Sequence, residues 1–171
     1  MEPAAETPDE VPWLTRQQQL EWRDLFTLLM TLPPALDLQL RRDAGLNLFE
    51  YHVLAGLSES PGRTLVLSDL AASARGSLSR LSHAVTRLER AGFVERRTLT
   101  DRGGRAVEAR LTDAGFARLE EVAPGHVRAV RRLLVDPLTP EQLTALAAAA
   151  RAITAATLAE PADDAAAPDA C

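Results

Sequence analysis

"GSLSRLSHAVTRLERAGFVERR", residues 76–97, sets five arginines beside a regular apolar stripe in a 171-residue chain of net charge −5. Leu81, Val85 and Leu88 stand at i, i+4 and i+7, with Leu78 and Ala84 alongside, which is the spacing of one inward-facing helix side. Gly92 stands where a C′ residue would end that helix. The opposite side presents Ser79, Arg80, Ser82, His83, Thr86, Arg87 and Arg90, which are donors and short hydroxyls with no large apolar group. Such a side suits a DNA major groove, where Arg takes guanine O6 and N7 together and Ser or Thr meets base edges or phosphates. Ser77, at the helix start, would set the helix N-terminus and its amides against a phosphate. A protein-binding side favours aromatic and aliphatic anchors, and this one has none.

Working outward, the period changes after Gly92. "FVERRTLT" (93–100) and "AVEARL" (106–111) alternate as strands, with Val107, Ala109 and Leu111 on one side. "DRGG" (101–104) between them permits the positive φ angles of a hairpin tip. Arg102 sits on that tip, Arg105 lies just beyond, and Arg96 and Arg97 are on the entering strand. A narrow minor groove attracts inserted Arg, and Asp101 is placed to orient one of these guanidiniums. Upstream, "RGS" (75–77) reads as a tight turn, Ser68 as the cap of a helix through Leu70 and Ala71, and "TLVL" (64–67) as a short strand. Asn47-Leu48-Phe49-Glu50 caps a helix carrying Val53, Leu54 and Leu57. Helix, short strand, helix, turn, helix and hairpin make a winged helix-turn-helix over about residues 46–111.

Helices flank this core. Thr15 and Gln18 form a capping box, and Leu25, Phe26, Leu28, Leu29 and Leu32 follow until Pro33-Pro34 is expected to break the helix. A shorter helix through Leu36 and Leu40 would end near Gly45. Thr112 caps the next helix, with Leu111 and Phe116 as a hydrophobic staple and a kink expected at Pro124-Gly125. Thr139-Pro140-Glu141-Gln142 starts the last, through Leu143, Leu146, Ala150 and Ile153. The fold class is therefore mainly α with a small antiparallel β-hairpin wing. Residues 13–160 form a single domain, with helices at about 15–42 and 112–158 outside the winged core. The acidic tails 1–12 and 161–171 are expected to be disordered.

Charge supports the same reading. Residues 1–10 and 160–171 hold Glu2, Glu6, Asp9, Glu10, Glu160, Asp163, Asp164 and Asp169 and no base, so without them the chain is +3. Residues 61–110 alone hold ten Arg against five acids, a local +5. Such a patch attracts phosphate while the tails keep the whole acidic. No run of 18 or more apolar residues occurs, so nothing is expected to span a membrane and no membrane partner is expected. The N-terminus lacks a signal-peptide pattern, so a cytoplasmic location is expected. The lone cysteine, Cys171, rules out an intrachain disulfide, and three scattered histidines give no metal-ligand spacing. No cofactor motif, nucleophile elbow or paired catalytic carboxylate is present, so an enzyme is not expected.

The "SxSRLSHxVxRLExxGxVxR" stretch and the wing followed by "LTDAG" resemble the MarR family of transcriptional regulators, over roughly residues 13–158. The resemblance implies a dimeric winged-helix DNA-binding protein, usually a repressor, often released by a small phenolic or aromatic effector. It puts Arg80 and His83 on recognition-helix positions and Arg102 on the wing tip. The wing departs from the family pattern at Gly103-Gly104-Arg105, so an Asp101 pair with Arg102 and one with Arg105 both stay open. Members that sense oxidants use a first-helix cysteine, and none is present here.

The expected partners are double-stranded DNA with a palindromic operator, a second copy of the chain, and a small effector. The stripes of the flanking helices exceed what a small winged core needs to cover, which favours a dimer. Trp22 and Phe26 suit a core or dimer role, and with His52 are the candidates for lining an effector pocket. For His52 packing is the alternative, and His126 reads as a surface or interface residue. Rival readings are a winged-helix protein-interaction module and a sequence-indifferent architectural DNA-binding protein.

Overall fold

The computed structural model describes residues 11–73, 77–99 and 106–159. Residues 1–10 and 160–171 of the acidic ends, Arg75 and Gly76 of the turn, and Asp101, Arg102 and Arg105 of the wing tip lie outside the described residues. The chain divides into two compact units, Met1–His126 and Val127–Cys171.

Local signals set most boundaries of the first unit. Helix α1 spans Arg16–Ala44 and opens with the Thr15–Gln18 capping box. Gly45, at φ +67°, closes it by donating its amide to the Arg41 carbonyl. The expected break at Pro33-Pro34 does not occur, and both prolines lie inside one continuous helix. Two adjacent prolines remove only two neighbouring amide donors, and the helix beyond them is anchored by tertiary contacts. Leu40 is fully buried, and Asp37 Oδ1 accepts the Leu48 amide at 2.8 Å. Packing outweighs the local cost of about 3 kcal/mol per interior proline.

Helix α2 (Leu48–Glu59) is the hub, burying Phe49, Glu50, Tyr51, Val53, Leu54 and Leu57. A single 3₁₀ turn (Pro61–Arg63) leads into strand β1 (Thr64–Val66). Helix α3 (Leu67–Ser73) starts at Leu67, one residue before the expected Ser68 cap. Ser68 Oγ instead donates to Asp69 Oδ1 at 3.2 Å. Helix α4 spans Leu78–Arg90, and strands β2 and β3 span Val94–Leu99 and Ala106–Leu111.

The wing is larger than a hairpin. The strand order is β1-β3-β2, antiparallel throughout, with Leu65 opposite Ala109 and Arg96 opposite the same Ala109 on the other side. Ala109 and Leu111 are buried under the helices, joining Leu54, Leu57, Leu70, Leu81, Val85, Leu88 and Val94 in one core. Pairing of β1 with β3 spans more than 40 residues of chain, so no local signal announces it.

The α4–β2 corner is built from backbone. Gly92, at φ +77°, donates to the Glu89 carbonyl and Phe93 to the Leu88 carbonyl, the paired bonds of a Schellman ending. The Phe93 carbonyl accepts the Thr112 amide at 3.0 Å, and Thr112 Oγ1 donates to the Gly92 carbonyl at 2.7 Å. Helix α5 (Asp113–Val130) starts here, with Thr112 Oγ1 also accepting the Gly115 amide at 3.0 Å. Pro124 lies inside α5 without ending it. The departure from α geometry comes later, in a π-helical turn over Arg131–Val135.

In the second unit, Thr139 and Gln142 form the expected capping box of α6 (Pro140–Ala159). No residue of α6 is buried. Its mean hydropathy reaches 1.2 over 18 residues, so by length and composition it could cross a membrane, although Glu141, Gln142 and Arg151 interrupt the apolar run. Alanine supplies most of that value.

A β-carbon built on Gly115 would overlap the Phe93 carbonyl and crowd Leu111 Cδ1. That carbonyl is held by Thr112 and has no room to retreat. Helix propensity alone would make Gly115→Ala stabilising by about 1 kcal/mol. The overlap reverses the sign, and a net loss of about 1–3 kcal/mol is expected in urea unfolding. An unchanged or raised midpoint would show that the corner yields.

Candidate nucleic-acid interface

Helix α4 is clamped on one side and exposed on the other. Leu81, Ala84, Val85 and Leu88 are buried, as their spacing requires. Leu78 departs from the expected stripe: it is 59% exposed, because the whole first turn, residues 77–80, projects beyond the core. Ser77 Oγ accepts the Arg80 amide at 3.2 Å, so this hydroxyl caps the helix.

The outward side carries Ser79, Arg80, Ser82, His83, Arg87 and Arg90, all exposed. Thr86 is half-buried, and its hydroxyl donates to the Ser82 carbonyl at 2.8 Å. The Arg80 guanidinium lies 4.4 Å from the centre of the buried Phe49 ring. Arg87 Nε lies 2.9 Å from Glu50 Oε1 as an ion pair. A cleft of about 230 Å³ runs along this side between α1, α2 and α4. At its floor the Leu48 amide bond, with help from Arg41, holds the Asp37 carboxyl below its ordinary pKa.

On the wing, Arg96 Nε donates to Glu89 Oε2 at 2.9 Å, tying β2 to the end of α4. The Arg96 hydrogen bond is also the main cause that lowers the Glu89 pKa. Glu95 and Arg110, opposite each other in register, pair at 2.9 Å. Arg63 pairs with Asp113 and stacks 3.7 Å from the Phe116 ring centre. Of the seven described arginines within 61–110, four thus have internal anionic partners. Arg80, Arg90 and Arg97 make no ion pair among the described residues, and all three are exposed.

The effector candidates fall into two groups. Trp22 and Phe26 share a side of α1, about half exposed, with ring centres 5.8 Å apart. Neither is core in this chain. His52 is exposed rather than packed, with its ring 5.9 Å from Tyr51 and 6.5 Å from His126. No ring contact joins the two groups among the described residues. His126 is not a surface residue: it is buried, with its ring 4.4 Å from Tyr51 and Nδ1 3.4 Å from Gln39 Oε1. Tyr51 and Gln39, both buried, come from α2 and α1, so only the tertiary fold reveals this cluster. Glu50, Phe49 and Asp37 were also missed as residues gathered around the arginines of α4. The capping box marked Glu50 as a local cap, and nothing in its spacing pointed to Arg87.

A family model for the MarR family matches residues 46–102. Among solved structures, the chain is similar to Sco3205, a MarR family transcriptional regulator from Streptomyces coelicolor in complex with DNA. The two are 45% identical at a TM-score of 0.81, over 89% of this chain and 97% of that one. It is also similar to AbsC, a MarR family transcriptional regulator from the same organism, at 38% identity and a TM-score of 0.79, over 86% and 99%. A MarR family regulator from Silicibacter pomeroyi, 23% identical at a TM-score of 0.66 over 84% and 99%, shares the fold. A search of curated protein sequences returned no match.

Burial, with the nearby His52 adding to it, holds the His126 pKa below its ordinary 6.5. The imidazole therefore stays neutral to a lower pH in the folded chain than in the unfolded chain, which binds a proton below about pH 6.5. Its contribution is fully present above that pH and is lost as the pH falls toward the depressed folded value. Urea unfolding near pH 7.5 and near pH 5.5 should show a larger loss for the wild type than for His126→Gln. Equal losses in the two proteins would remove His126 from the pH response.

Proposed function

Since the chain belongs to the MarR family of DNA-binding transcriptional regulators, we propose that it is a cytoplasmic, homodimeric repressor that reads a palindromic operator with α4. The observation that carries this reading is the outward side of α4, where Ser79, Arg80, Ser82 and His83 are exposed around a clamped apolar stripe. Arg80 lies in the first turn of α4, and the N-terminal residues of a recognition helix are the ones that meet base edges. Stacking on Phe49 limits the guanidinium's rotamers before DNA arrives, which lowers the ordering cost of a bidentate guanine contact. Ser77 and Arg87 add backbone contacts, and Arg97 lies on the wing strand beside them. Arg102 or Arg105, oriented by Asp101, enters the minor groove in this reading.

Dimerisation follows from uncovered apolar surface. Trp13, Trp22, Phe26, Leu29, Met30 and Leu38 are each about half or more exposed. Separately, Val127, Ile153 and Leu158 are exposed in the second unit. Soluble monomers seldom tolerate such patches, and a second copy covers both while doubling the number of base contacts. Trp22, Phe26 and His52 supply stacking surfaces for a small aromatic effector that releases the DNA.

The test uses a duplex enriched from random sequence by the full-length protein, beside a scrambled duplex. Arg80→Ala should cost about 1–3 kcal/mol on the enriched duplex and much less on the scrambled one, by gel-shift titration. Equal losses on both would demote Arg80 to a phosphate contact. Light scattering of the wild type should give twice 18.5 kDa, and the monomer mass would refute the dimer.

A further inference from the structure

Two arginines seven residues apart on α4 lean on two neighbouring residues in the first turn of α2. Arg80 stacks on Phe49, and Arg87 forms an ion pair with Glu50. The Glu50 side chain is 2% exposed, whereas Arg87 is 59% exposed. Both Glu50 oxygens are committed: Oε2 accepts the Asn47 amide at 3.0 Å, and Oε1 is paired with Arg87 Nε at 2.9 Å. Asp37 holds the same turn from α1 through the Leu48 amide.

Capping does not need a carboxylate at this position. The boxes that open α1 and α6 use Gln18 and Gln142 for the same bond, to Thr15 and Thr139. Among the described residues only the α2 box uses Glu, and only there does the third helical residue meet an arginine of α4. A buried carboxylate is costly unless it is paired and fully bonded, so its presence calls for a purpose beyond the cap. The guanidinium is a rigid plane, and a carboxylate held at its Nε edge leaves its two terminal nitrogens available to a second anion. Here those nitrogens belong to an exposed group on the outward side of α4.

We propose that Glu50 is a positioning residue for DNA binding, holding Arg87 with its terminal nitrogens turned to clamp a backbone phosphate. Arg87 lies in the third turn of α4, past the N-terminal residues that reach base edges, where phosphate is the expected partner. The proposal rests on the reading of α4 as the DNA-contacting helix.

Glu50→Gln keeps the cap and removes a negative charge, so the two roles predict opposite signs. Charge alone makes the variant bind DNA more tightly. Positioning makes it bind the enriched duplex about five- to tenfold more weakly, with the salt dependence reduced by up to about one phosphate contact. Circular dichroism and a melt check that the variant is folded. Unchanged or tighter binding by folded Glu50→Gln overturns the proposal. If that variant fails to fold, Arg87→Lys decides, because a compact ammonium on a flexible stem lacks the planar fork that sets one edge on Glu50 and another on the phosphate. The same loss, with the melting temperature kept, is expected, and wild-type affinity overturns the proposal. Arg80→Ala on the same duplex separates the failures. If it weakens binding and Glu50→Gln does not, only the role of Glu50 is wrong. If neither weakens binding, the reading of α4 fails as well.

Discussion

Everything the outward side of α4 presents depends on the burial of its inward side. Leu81, Val85 and Leu88 are at most 1% exposed, and Ala84 lets the helix sit close. At about 1.5–3 kcal/mol for each large side chain, this seam outweighs any surface contact that α4 makes. A helix fixed along one stripe has no rotational freedom, so the polar residues between the stripe positions face solvent. The chemistry of the exposed side is thus a consequence of packing. Exposure of Leu78 marks where the seam ends and the projecting first turn begins.

Around that seam the structure removes the remaining freedom with polar and backbone contacts. Ser77 caps one end, and the Gly92–Phe93 ending closes the other. Arg96 ties β2 to Glu89 at the end of α4. The first turn of α2 supports two arginines from beneath. The net basicity of residues 61–110 is therefore a poor guide to what a polyanion meets. Much of it is neutralised internally, and Arg80, Arg90 and Arg97 are what remains without an ion pair among the described residues. A few oriented cations suit sequence discrimination better than a diffuse charge cloud, which raises affinity for any duplex alike.

The helix and strand periods were legible in the sequence because they are local. All three Thr or Asn capping boxes, the Gly45 and Gly92 endings and the β3 limits depend on residues within a few positions of one another. What was illegible depended on contacts across the chain. Pro33-Pro34 reads as a stop, yet anchoring by Asp37 and Leu40 carries α1 through it. Burial of His126 needs Gln39 and Tyr51 from two other helices. Within the candidate site, the exposed polar side was legible from period alone. Its supports, Phe49 and Glu50, were not, since nothing in a capping box says which distant side chain will lie on it.

Photo-cross-linking tests the central claim, that the side of α4 opposite its buried seam faces DNA, most directly. A photoreactive residue in place of Ser79 or Ser82 stands on that side, and one in place of Ser58, on α2, stands away from it. With the enriched duplex, cross-links are predicted from positions 79 and 82 and not from position 58. Cross-linking from 58, with none from 79 or 82, would contradict the account.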